Sequence, residues 1–291
     1  MAEEQKYVDD KSKKLLANKS FWARTLSGFI LVAVMVAAFI LGGVVMWALL
    51  LVISLIGLYE FNKAMNLNWG VFAWAGYIIT VAYYVLLLLL TESLSFALLL
   101  FAFLLVADLA VFVFTYPRYE LSQVFAGFFE VMFIGVALSF LYILRITPPA
   151  GAYLVWLAVI AAWGSDVFAY LVGMLFGKTP FVPKLSPKKS VEGAIGGLAG
   201  STVLGVVFGF IVQQYIPMVK FAPIVFGIFC LFGSAAGQIG DLAASAIKRK
   251  VGIKDYGNII PGHGGILDRF DSVIMTAPII YLATIWINIV T

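Results

Sequence analysis

Nine long apolar runs, separated by short polar segments, dominate this 291-residue sequence. An α-helix needs about 20 residues to cross a bilayer, and each run is close to that length. The runs fall at residues 25–42, 44–61, 70–90, 94–115, 123–144, 151–176, 191–214, 222–240 and 271–290. Charged residues make up only 12% of the chain, whereas soluble domains carry about 25%. The sequence therefore predicts an all-α polytopic membrane protein with about nine transmembrane helices.

The distribution of Lys and Arg predicts how these helices are oriented. If the N-terminus is cytoplasmic and nine spans alternate, 17 basic residues face the cytoplasm and 2 face the other side. Membrane proteins carry such an excess on their cytoplasmic side. The break at Gly42 and Gly43 could be a tight turn or a kink, but merging the two runs would move the later basic loops to the wrong side. We therefore expect the C-terminus to lie outside and loops 177–190 and 241–270 to face the cytoplasm.

The sequence argues against several other classes of protein. Nucleic-acid binding is not expected, because no basic stripe with interleaved aromatic residues appears. No convincing internal repeat appears, which argues against an inverted-repeat transporter. The single cysteine, Cys230, lies in an apolar run and is predicted to be a small buried side chain. Small residues at 193–200 and 233–240 predict close packing between helices.

The segment 245–271 concentrates the polar chemistry of the chain. It holds the only His, three Asp and five basic residues, which are Lys248, Arg249, Lys250, Lys254 and Arg269. The turn Pro261–Gly262–His263–Gly264–Gly265 leaves backbone N–H groups free to hold phosphate. Asp268 and Asp271 follow with i,i+3 spacing, on one face of a helix, and oxygen ligands of this kind suit Mg²⁺. The positive-inside rule alone would explain the lysines, but not this whole set.

This segment resembles the signature of the phosphatidate cytidylyltransferases, or CDP-diacylglycerol synthases. The matching residues are Ser245-x-x-Lys248-Arg249, Lys254-Asp255-x-Gly257 and Ile260-Pro261-Gly262-His263-Gly264-Gly265-Ile266-x-Asp268-Arg269-Phe270-Asp271. The resemblance implies a membrane enzyme of phospholipid biosynthesis that joins CTP and phosphatidate, giving CDP-diacylglycerol and pyrophosphate. It also implies a homodimer among membrane lipids. We expect it in the cytoplasmic (inner) membrane of a bacterium, with the active site facing the cytoplasm.

The resemblance implies roles for individual side chains as well. Those expected to stabilise the departing pyrophosphate are Lys248, Arg249, Lys254 and Arg269, and those expected to bind substrate are Ser245, Gly262, His263, Gly264 and Gly265. His263 is expected to donate a hydrogen bond rather than to act as a base. A phosphate monoester is already largely dianionic near neutral pH, so the nucleophile needs little deprotonation.

Asp241 closes the eighth apolar run, where an acidic residue must be solvated, paired or metal-bound. It also resembles the acidic residue of the family that joins the Asp268 site. We therefore expect Asp241 and Asp268 to share Mg²⁺, because a divalent cation removes the repulsion between two carboxylates. Asp271 lies near enough for a second cation, which could be monovalent.

Two further segments carry candidate substrate-binding residues. In the proline-rich segment 177–192, Lys188 and Lys189 could bind a phosphate. Alternatively, they could only contribute to the excess of positive charge on the cytoplasmic side. The run Ser186–Gly193 also looks like a family segment, which favours the first interpretation. Asp166 lies within a span, where a charge costs at least about 2.5–3.5 kcal/mol, so it is predicted to face a polar cavity. The resemblance places that cavity near the substrates.

Three other acidic residues are predicted to have structural roles. Glu192 begins a helix, where a carboxylate is stabilising by about 0.3–1 kcal/mol. Asp108 and Glu130 lie in spans and are expected to pair with buried donors.

We expect a polar, basic segment at 1–20 and a single integral membrane catalytic domain at 21–291. Two alternative functions stay open. One is a CTP-dependent kinase of polyprenol or phytol, which would move only the γ-phosphate. The other is a non-enzymatic ion transporter with a glycine-rich pore loop, which would turn over no CTP.

Overall fold

A computed structural model describes residues 22, 25–67, 70–89, 93–148, 150–260, 262 and 264–290. Within these residues the chain forms nine long helices and one β-hairpin. The helices are α1 Thr25–Leu41, α2 Gly43–Ala64, α3 Val71–Leu89, α4 Ser93–Phe114, α5 Leu121–Ile146, α6 Gly151–Phe176, α7 Val191–Val212, α8 Ala222–Lys250 and α9 Leu267–Val290. The hairpin strands are β1 Pro180–Val182 and β2 Ser186–Ser190. One wide π turn interrupts α5 at Val131–Val136, and another interrupts α6 at Ile160–Gly164.

Six helices are long and apolar enough to cross a membrane when the described residues are considered, namely α2, α3, α5, α6, α7 and α8. Helix α1 and the part of α4 at Leu98–Phe114 are shorter apolar helices. Large apolar side chains such as Phe29, Ile78 and Phe210 are exposed on the outside of the bundle, where they can contact lipid. The predicted all-α polytopic membrane architecture is confirmed. The number of nine spans and the orientation of the termini stay predictions, and the segment 1–20 lies outside the described residues.

Helices α6 to α9 pack together through faces of small residues. A Cβ atom on Gly196 of α7 would lie 2.5 Å from a valine of α6. One on Gly205 would lie 2.7 Å from the sulfur of Cys230 in α8. Backbones can approach this closely only where the side chain is absent. The predicted packing role of the glycines in α7 is confirmed, and Cys230 is fully buried as predicted.

Helix α1 ends at the break that the sequence predicted. Gly42 and Gly43 have φ values of +62° and +50°, which L side chains rarely adopt. Arg145, at the end of α5, donates from Nε to the carbonyl of Phe39 at 2.9 Å and from Nη2 to that of Ile40 at 3.4 Å. The last carbonyls of a helix have no partner within it, so the guanidinium stabilises this helix end.

The two polar segments beside the site differ from their predicted form. The predicted loop 241–270 is helical at both ends, because α8 continues to Lys250 and α9 begins at Leu267. Helix α8 continues through residues that favour a helix and stops where Gly252 adopts a φ of +77°. The segment 177–190, predicted to be a loop, forms the hairpin, with Pro180 opposite Ser190.

Asp108 and Glu130 do not find the buried donors that were expected. Asp108 is 2% exposed and Glu130 is 0% exposed. When only the described residues are considered, Oδ2 of Asp108 and both carboxylate oxygens of Glu130 have no hydrogen-bond partner, so the prediction is wrong for these atoms. The Glu130 carboxylate packs against Gly76 of α3. The missing side chain makes room for the carboxylate but supplies no donor.

Candidate active site

A cavity of about 590 Å³ opens between α6, the hairpin, α7, α8 and the start of α9. Its charged lining residues are Asp166, Lys188, Lys189, Asp241, Lys248, Asp255, Asp268, Arg269 and Asp271. Segments that are far apart in the sequence thus bring five carboxylates and four cationic side chains to one place. Most of the charged residues singled out from the sequence therefore meet in this cavity.

Asp268 lies in the first turn of α9 and organises the residues around it. Its buried carboxylate accepts a hydrogen bond from Nζ of Lys248 at 2.8 Å. It also accepts from the backbone N–H of Tyr256 at 2.9 Å and from that of Gly265 at 3.0 Å. Three donors therefore fix the orientation of this carboxylate.

Lys248, near the end of α8, connects the acidic residues of α9. Its Nζ lies 3.9 Å from Oδ2 of Asp271, in addition to its bond with Asp268. Asp271 also accepts from the backbone N–H of Ser272 at 2.9 Å, and the Ser272 hydroxyl donates to Oδ2 of Asp166 at 3.2 Å. These contacts join α6, α8 and α9 in one polar network.

Tyr256 supports this network from the loop. Burial raises the pKa of its hydroxyl, and the neighbouring Asp268 and Asp271 raise that pKa further. The hydroxyl therefore stays protonated and donates to the carbonyl of Ala244 at 3.2 Å. Nζ of Lys248 lies 5.2 Å from the centre of the tyrosine ring, within the range of a cation–π contact.

The hairpin places Lys188 and Lys189 in the lining of the cavity. Lys189 forms an ion pair with Asp241 of α8, and Lys188 lines the cavity beside it. The two lysines and Asp241 come from elements that are separate in the sequence. Their meeting therefore depends on the hairpin folding back over α8.

Glu192 lies in the first turn of α7, as predicted, and it also has partners before that helix. The N-cap of α7 is Ser190, whose Oγ accepts from the backbone N–H of Gly193 at 3.1 Å. The Glu192 carboxylate accepts from the backbone N–H of Lys178 at 3.1 Å and from the hydroxyl of Thr179 at 2.9 Å. It therefore holds the chain entering the hairpin to the start of α7.

Arg269 has a buried donor in the cavity region. Its Nε has no hydrogen-bond partner among the residues that the structure describes. Its backbone carbonyl accepts from Nε1 of Trp163 at 3.3 Å, and Trp163 lies in the wide turn of α6 just before Asp166. A buried guanidinium donor without a partner is costly, and an anion is the natural partner for it.

Several predicted site residues do not line the cavity. Among the described residues these are Ser245, Arg249, Lys254, Gly262, Gly264 and Gly265; His263 lies outside the described residues. Arg249 is exposed, and its Nη1 donates to the carbonyl of Ile253 at 3.0 Å. The backbone N–H of Gly265 is donated to Asp268, so it is not free for a phosphate. This N–H therefore helps to hold the Asp268 carboxylate in place.

Two polar residues near the site were not assigned a role from the sequence. Gln238 of α8 donates from Nε2 to Oγ of Ser165 at 3.2 Å and to the carbonyl of Ala194 at 3.0 Å, which ties α6, α7 and α8 together. Glu60 of α2 is 1% exposed and accepts two hydrogen bonds from the backbone at 266 and 267. The sequence did contain a signal for Glu60, because it is an acidic residue in an apolar span. Such a residue needs a partner.

The acidic residues of the cavity have the donor chemistry that Mg²⁺ requires. Asp241, Asp268 and Asp271 present carboxylate oxygens, which this ion prefers. Within the described part of the chain, no three or more His, Cys, Asp or Glu side chains are already grouped to hold an ion. Lys189 and Lys248 neutralise the carboxylates instead. The residues therefore fit the ion chemically, and the dependence on Mg²⁺ stays a prediction.

Known proteins resemble this chain over much of its length. The sequence model of the Cytidylyltransferase family matches residues 22–286. The phosphatidate cytidylyltransferase of Bacillus subtilis (strain 168) is 40% identical over 157 residues, which are 53% of this chain and 56% of that protein. The phosphatidate cytidylyltransferase of Aquifex aeolicus (strain VF5) is 40% identical over 169 residues, 58% of this chain and 60% of that protein.

A third relative, the phosphatidate cytidylyltransferase of Thermotoga maritima, is 35% identical over 163 residues, which are 55% of this chain and 60% of that protein. The chain thus spans between half and two thirds of the length of these relatives. The family model covers a larger share of the chain than any of these pairwise matches. Because that model matches most of its residues, this protein belongs to the cytidylyltransferase family.

Proposed function

We propose that this protein is a membrane-bound nucleotidyltransferase that makes CDP-diacylglycerol and pyrophosphate from CTP and phosphatidate, in phospholipid biosynthesis. The observation that carries the proposal is the cavity in which four cationic side chains meet five carboxylates. Several of these residues belong to the segment that resembles the phosphatidate cytidylyltransferase signature. The names of the similar proteins add support.

In this reaction an oxygen of the phosphatidate phosphate attacks the α-phosphorus of CTP. The bond from that phosphorus to the oxygen bridging to the β-phosphate breaks, and its electron pair leaves with pyrophosphate. The attacking phosphate is largely dianionic near neutral pH, so no general base is needed. Catalysis therefore consists mainly of positioning the substrates and stabilising charge.

The cationic side chains of the cavity are suited to different parts of this task. Lys188 and Lys189 lie on the hairpin, where they can hold the phosphate of the lipid. Lys248 lies near the end of α8 and Arg269 in the first turn of α9, where they can hold the triphosphate and the departing pyrophosphate. Arg269 can donate through its buried Nε, which has no partner in the described part of the chain. Lys189 is paired with Asp241 and Lys248 with Asp268. If a bound cation neutralises these aspartates, the lysines can turn towards a phosphate.

Asp241, Asp268 and Asp271 would hold Mg²⁺, with a second cation, which could be monovalent, beside Asp271. Bound Mg²⁺ would neutralise charge on the phosphates of CTP. The same carboxylates orient the lysines of the cavity. Asp268 also holds the loop through its two backbone donors.

We further propose nine spans with a cytoplasmic N-terminus, in which α1, α4 and α9 join the six longest apolar helices. The distribution of 17 basic residues against 2 supports this orientation. CTP would reach the cavity from the cytoplasm. The lipid would enter from the membrane along Tyr170, Met174 and Phe181, which line the cavity and are exposed. The family resemblance supports a homodimer in a bacterial cytoplasmic membrane.

Two labelled forms of CTP test the reaction class on purified protein in detergent with phosphatidate and Mg²⁺. The α-phosphate label is expected to enter chloroform-extractable lipid, and the γ-phosphate label is expected to appear in pyrophosphate. Diacylglycerol and free polyprenol are matched controls, because neither offers a phosphate nucleophile. Neither control is expected to accept the α-label.

Two other results would contradict the proposal. Entry of the γ-label into lipid would identify a CTP-dependent kinase. If neither label moved while vesicles containing the protein transported ions, the transporter would be the better interpretation.

A further inference from the structure

Glu60 of α2 binds the backbone of the segment that leads into α9, next to the candidate active site. It does not line the cavity, and its side chain is 1% exposed. Oε1 accepts from the backbone N–H of Ile266 at 3.0 Å, and Oε2 accepts from that of Leu267 at 2.8 Å. These donors lie at the N-terminus of α9, one and two residues before Asp268. Both oxygens of one buried carboxylate therefore hold the first turn of the helix that carries the acidic residues.

This contact fills an anion site. The N-terminus of a helix presents unpaired N–H groups and a partial positive charge, so a carboxylate there is stabilising. Phosphate groups of ligands often take such positions. Here the protein supplies the anion itself, so a substrate phosphate has to bind elsewhere. The cationic side chains of the cavity, among them Lys248 and Arg269, are the alternative.

Two glycines of the segment make room for Glu60. A Cβ atom on Gly265 would lie 2.5 Å from Oε2 of Glu60 and 2.6 Å from Oε1. A Cβ atom on Gly257 would also collide with this carboxylate. Neither position has a positive φ, so the close approach explains these glycines better than backbone conformation does.

A continuous set of contacts leads from Glu60 to the cavity. Glu60 holds the backbone at 266 and 267, the neighbouring N–H of Gly265 donates to Asp268, and Asp268 accepts from Lys248. A shift of the turn would therefore move a carboxylate and a cation of the cavity together. Arg269 would move with them, because it lies in the same first turn of α9.

We propose that Glu60 is a positioning residue for the cavity, which sets the first turn of α9 so that Asp268 and Arg269 face the substrates. The kinetic part of this inference rests on the proposed function. A purely structural role would make Glu60 matter for stability alone. A positioning role makes it matter for the metal and for CTP. It should not change binding of the lipid phosphate at Lys188 and Lys189, because the hydrogen bonds of Glu60 go to the backbone just before Asp268.

The test compares Glu60→Gln with the wild type and with Glu120→Gln as a matched control. Glutamine keeps the volume of the side chain, but its NH₂ group faces a backbone N–H and cannot accept from it. Glu120 undergoes the same chemical change at an exposed site, where its local hydrogen bonds are to Gln123 and Ser122. We expect Glu60→Gln to lower kcat about 10- to 100-fold, the range for a misplaced catalytic group.

The variant should also need more Mg²⁺ for half-maximal rate, while KM for phosphatidate stays the same. Thermal stabilisation by CTP plus Mg²⁺, measured without phosphatidate, should weaken in the same variant. Backbone hydrogen exchange across 264–268 should become faster, whereas exchange in α7 should not. The control should match the wild type in every measurement.

A lower Tm with unchanged kcat and an unchanged requirement for Mg²⁺ would overturn the inference and leave Glu60 a structural residue. Unchanged exchange across 264–268 would overturn it too. If Glu60→Gln does not fold, Glu60→Asp is used in its place, because it keeps the charge but withdraws the carboxylate from the two donors. If the wild type transfers no label, the proposed function fails, and hydrogen exchange still decides whether Glu60 sets this turn.

Discussion

At the scale of single residues, Asp241 and Asp268, which are expected to share a metal, differ in burial and in hydrogen bonding. Asp268 is buried and accepts from one ammonium group and two backbone N–H groups. The Asp241 side chain is 23% exposed and forms an ion pair with Lys189. Removing the charge of Asp268 therefore disturbs the fold as well as the cavity, whereas removing that of Asp241 changes mainly the cavity.

Replacing each acid by its amide separates these two effects. Asp241→Asn is expected to lower label transfer more than about 100-fold, as losing one strong electrostatic contact in an active site does, with little change in Tm. Asp268→Asn should lose as much activity and also about 1–3 kcal/mol of stability, because the NH₂ group of Asn cannot accept from the buried donors. Label transfer and thermal unfolding in detergent measure both quantities.

Glu120→Gln serves again as the control for this pair of variants. Substantial label transfer by Asp241→Asn would remove Asp241 from the metal site. An Asp268→Asn protein as stable as the wild type would show that its three contacts contribute little to folding.

At the scale of secondary-structure elements, the hairpin forms one part of the cavity wall. It joins α6 to α7 and carries the two lysines proposed to hold the lipid phosphate. Glu192 holds the incoming chain at Lys178 and Thr179, and Ser190 caps α7 at the other end of the hairpin. These hydrogen bonds and the ion pair between Lys189 and Asp241 therefore help to set the position of the lysines.

Glu192→Gln is expected to loosen the hairpin without unfolding the helices. The neutral amide accepts hydrogen bonds more weakly than a carboxylate does. KM for phosphatidate should rise several-fold, while the Mg²⁺ requirement and Tm should change little. Limited proteolysis should cut the chain faster near Lys184, which is exposed in the turn. An unchanged KM for phosphatidate would mean that this hairpin does not hold the lipid.

At the scale of the whole molecule, the proposed orientation of the helices makes a prediction about accessibility. Lys184→Cys and Asn258→Cys, each in a Cys230→Ala background, should react with a membrane-impermeant maleimide only from the cytoplasmic side. Met218→Cys, between α7 and α8, should react only from the opposite side. All three positions are exposed in the structure, so burial does not limit the reaction.

Inside-out vesicles and intact cells provide the two sides for this measurement. Labelling of Lys184→Cys and Asn258→Cys from different sides would contradict the nine-span topology. Labelling of Met218→Cys from the cytoplasmic side would contradict the alternation of α7 and α8.

The membrane class and the charged residues of the segment 245–271 could be predicted from the sequence. Both are local properties of the chain, because apolar length decides whether a helix can cross a bilayer and a motif keeps its residues together. The break between α1 and α2 was also predictable, since two adjacent glycines interrupt a helix. The continuation of α8 to Lys250 was not predicted, because the charged residues after 240 indicated a loop. Those residues nevertheless favour a helix.

Which of these residues lie together in the cavity depends on the packing of the helices. Lys248 and Arg249 are neighbours in the sequence, yet a helix turns successive side chains by about 100°, so Lys248 lines the cavity and Arg249 is exposed. Glu60 and Leu267 are 207 residues apart, and nothing local to either predicts their hydrogen bond. Contacts between distant segments follow from how the helices pack, and that packing depends on the shapes of all their faces at once.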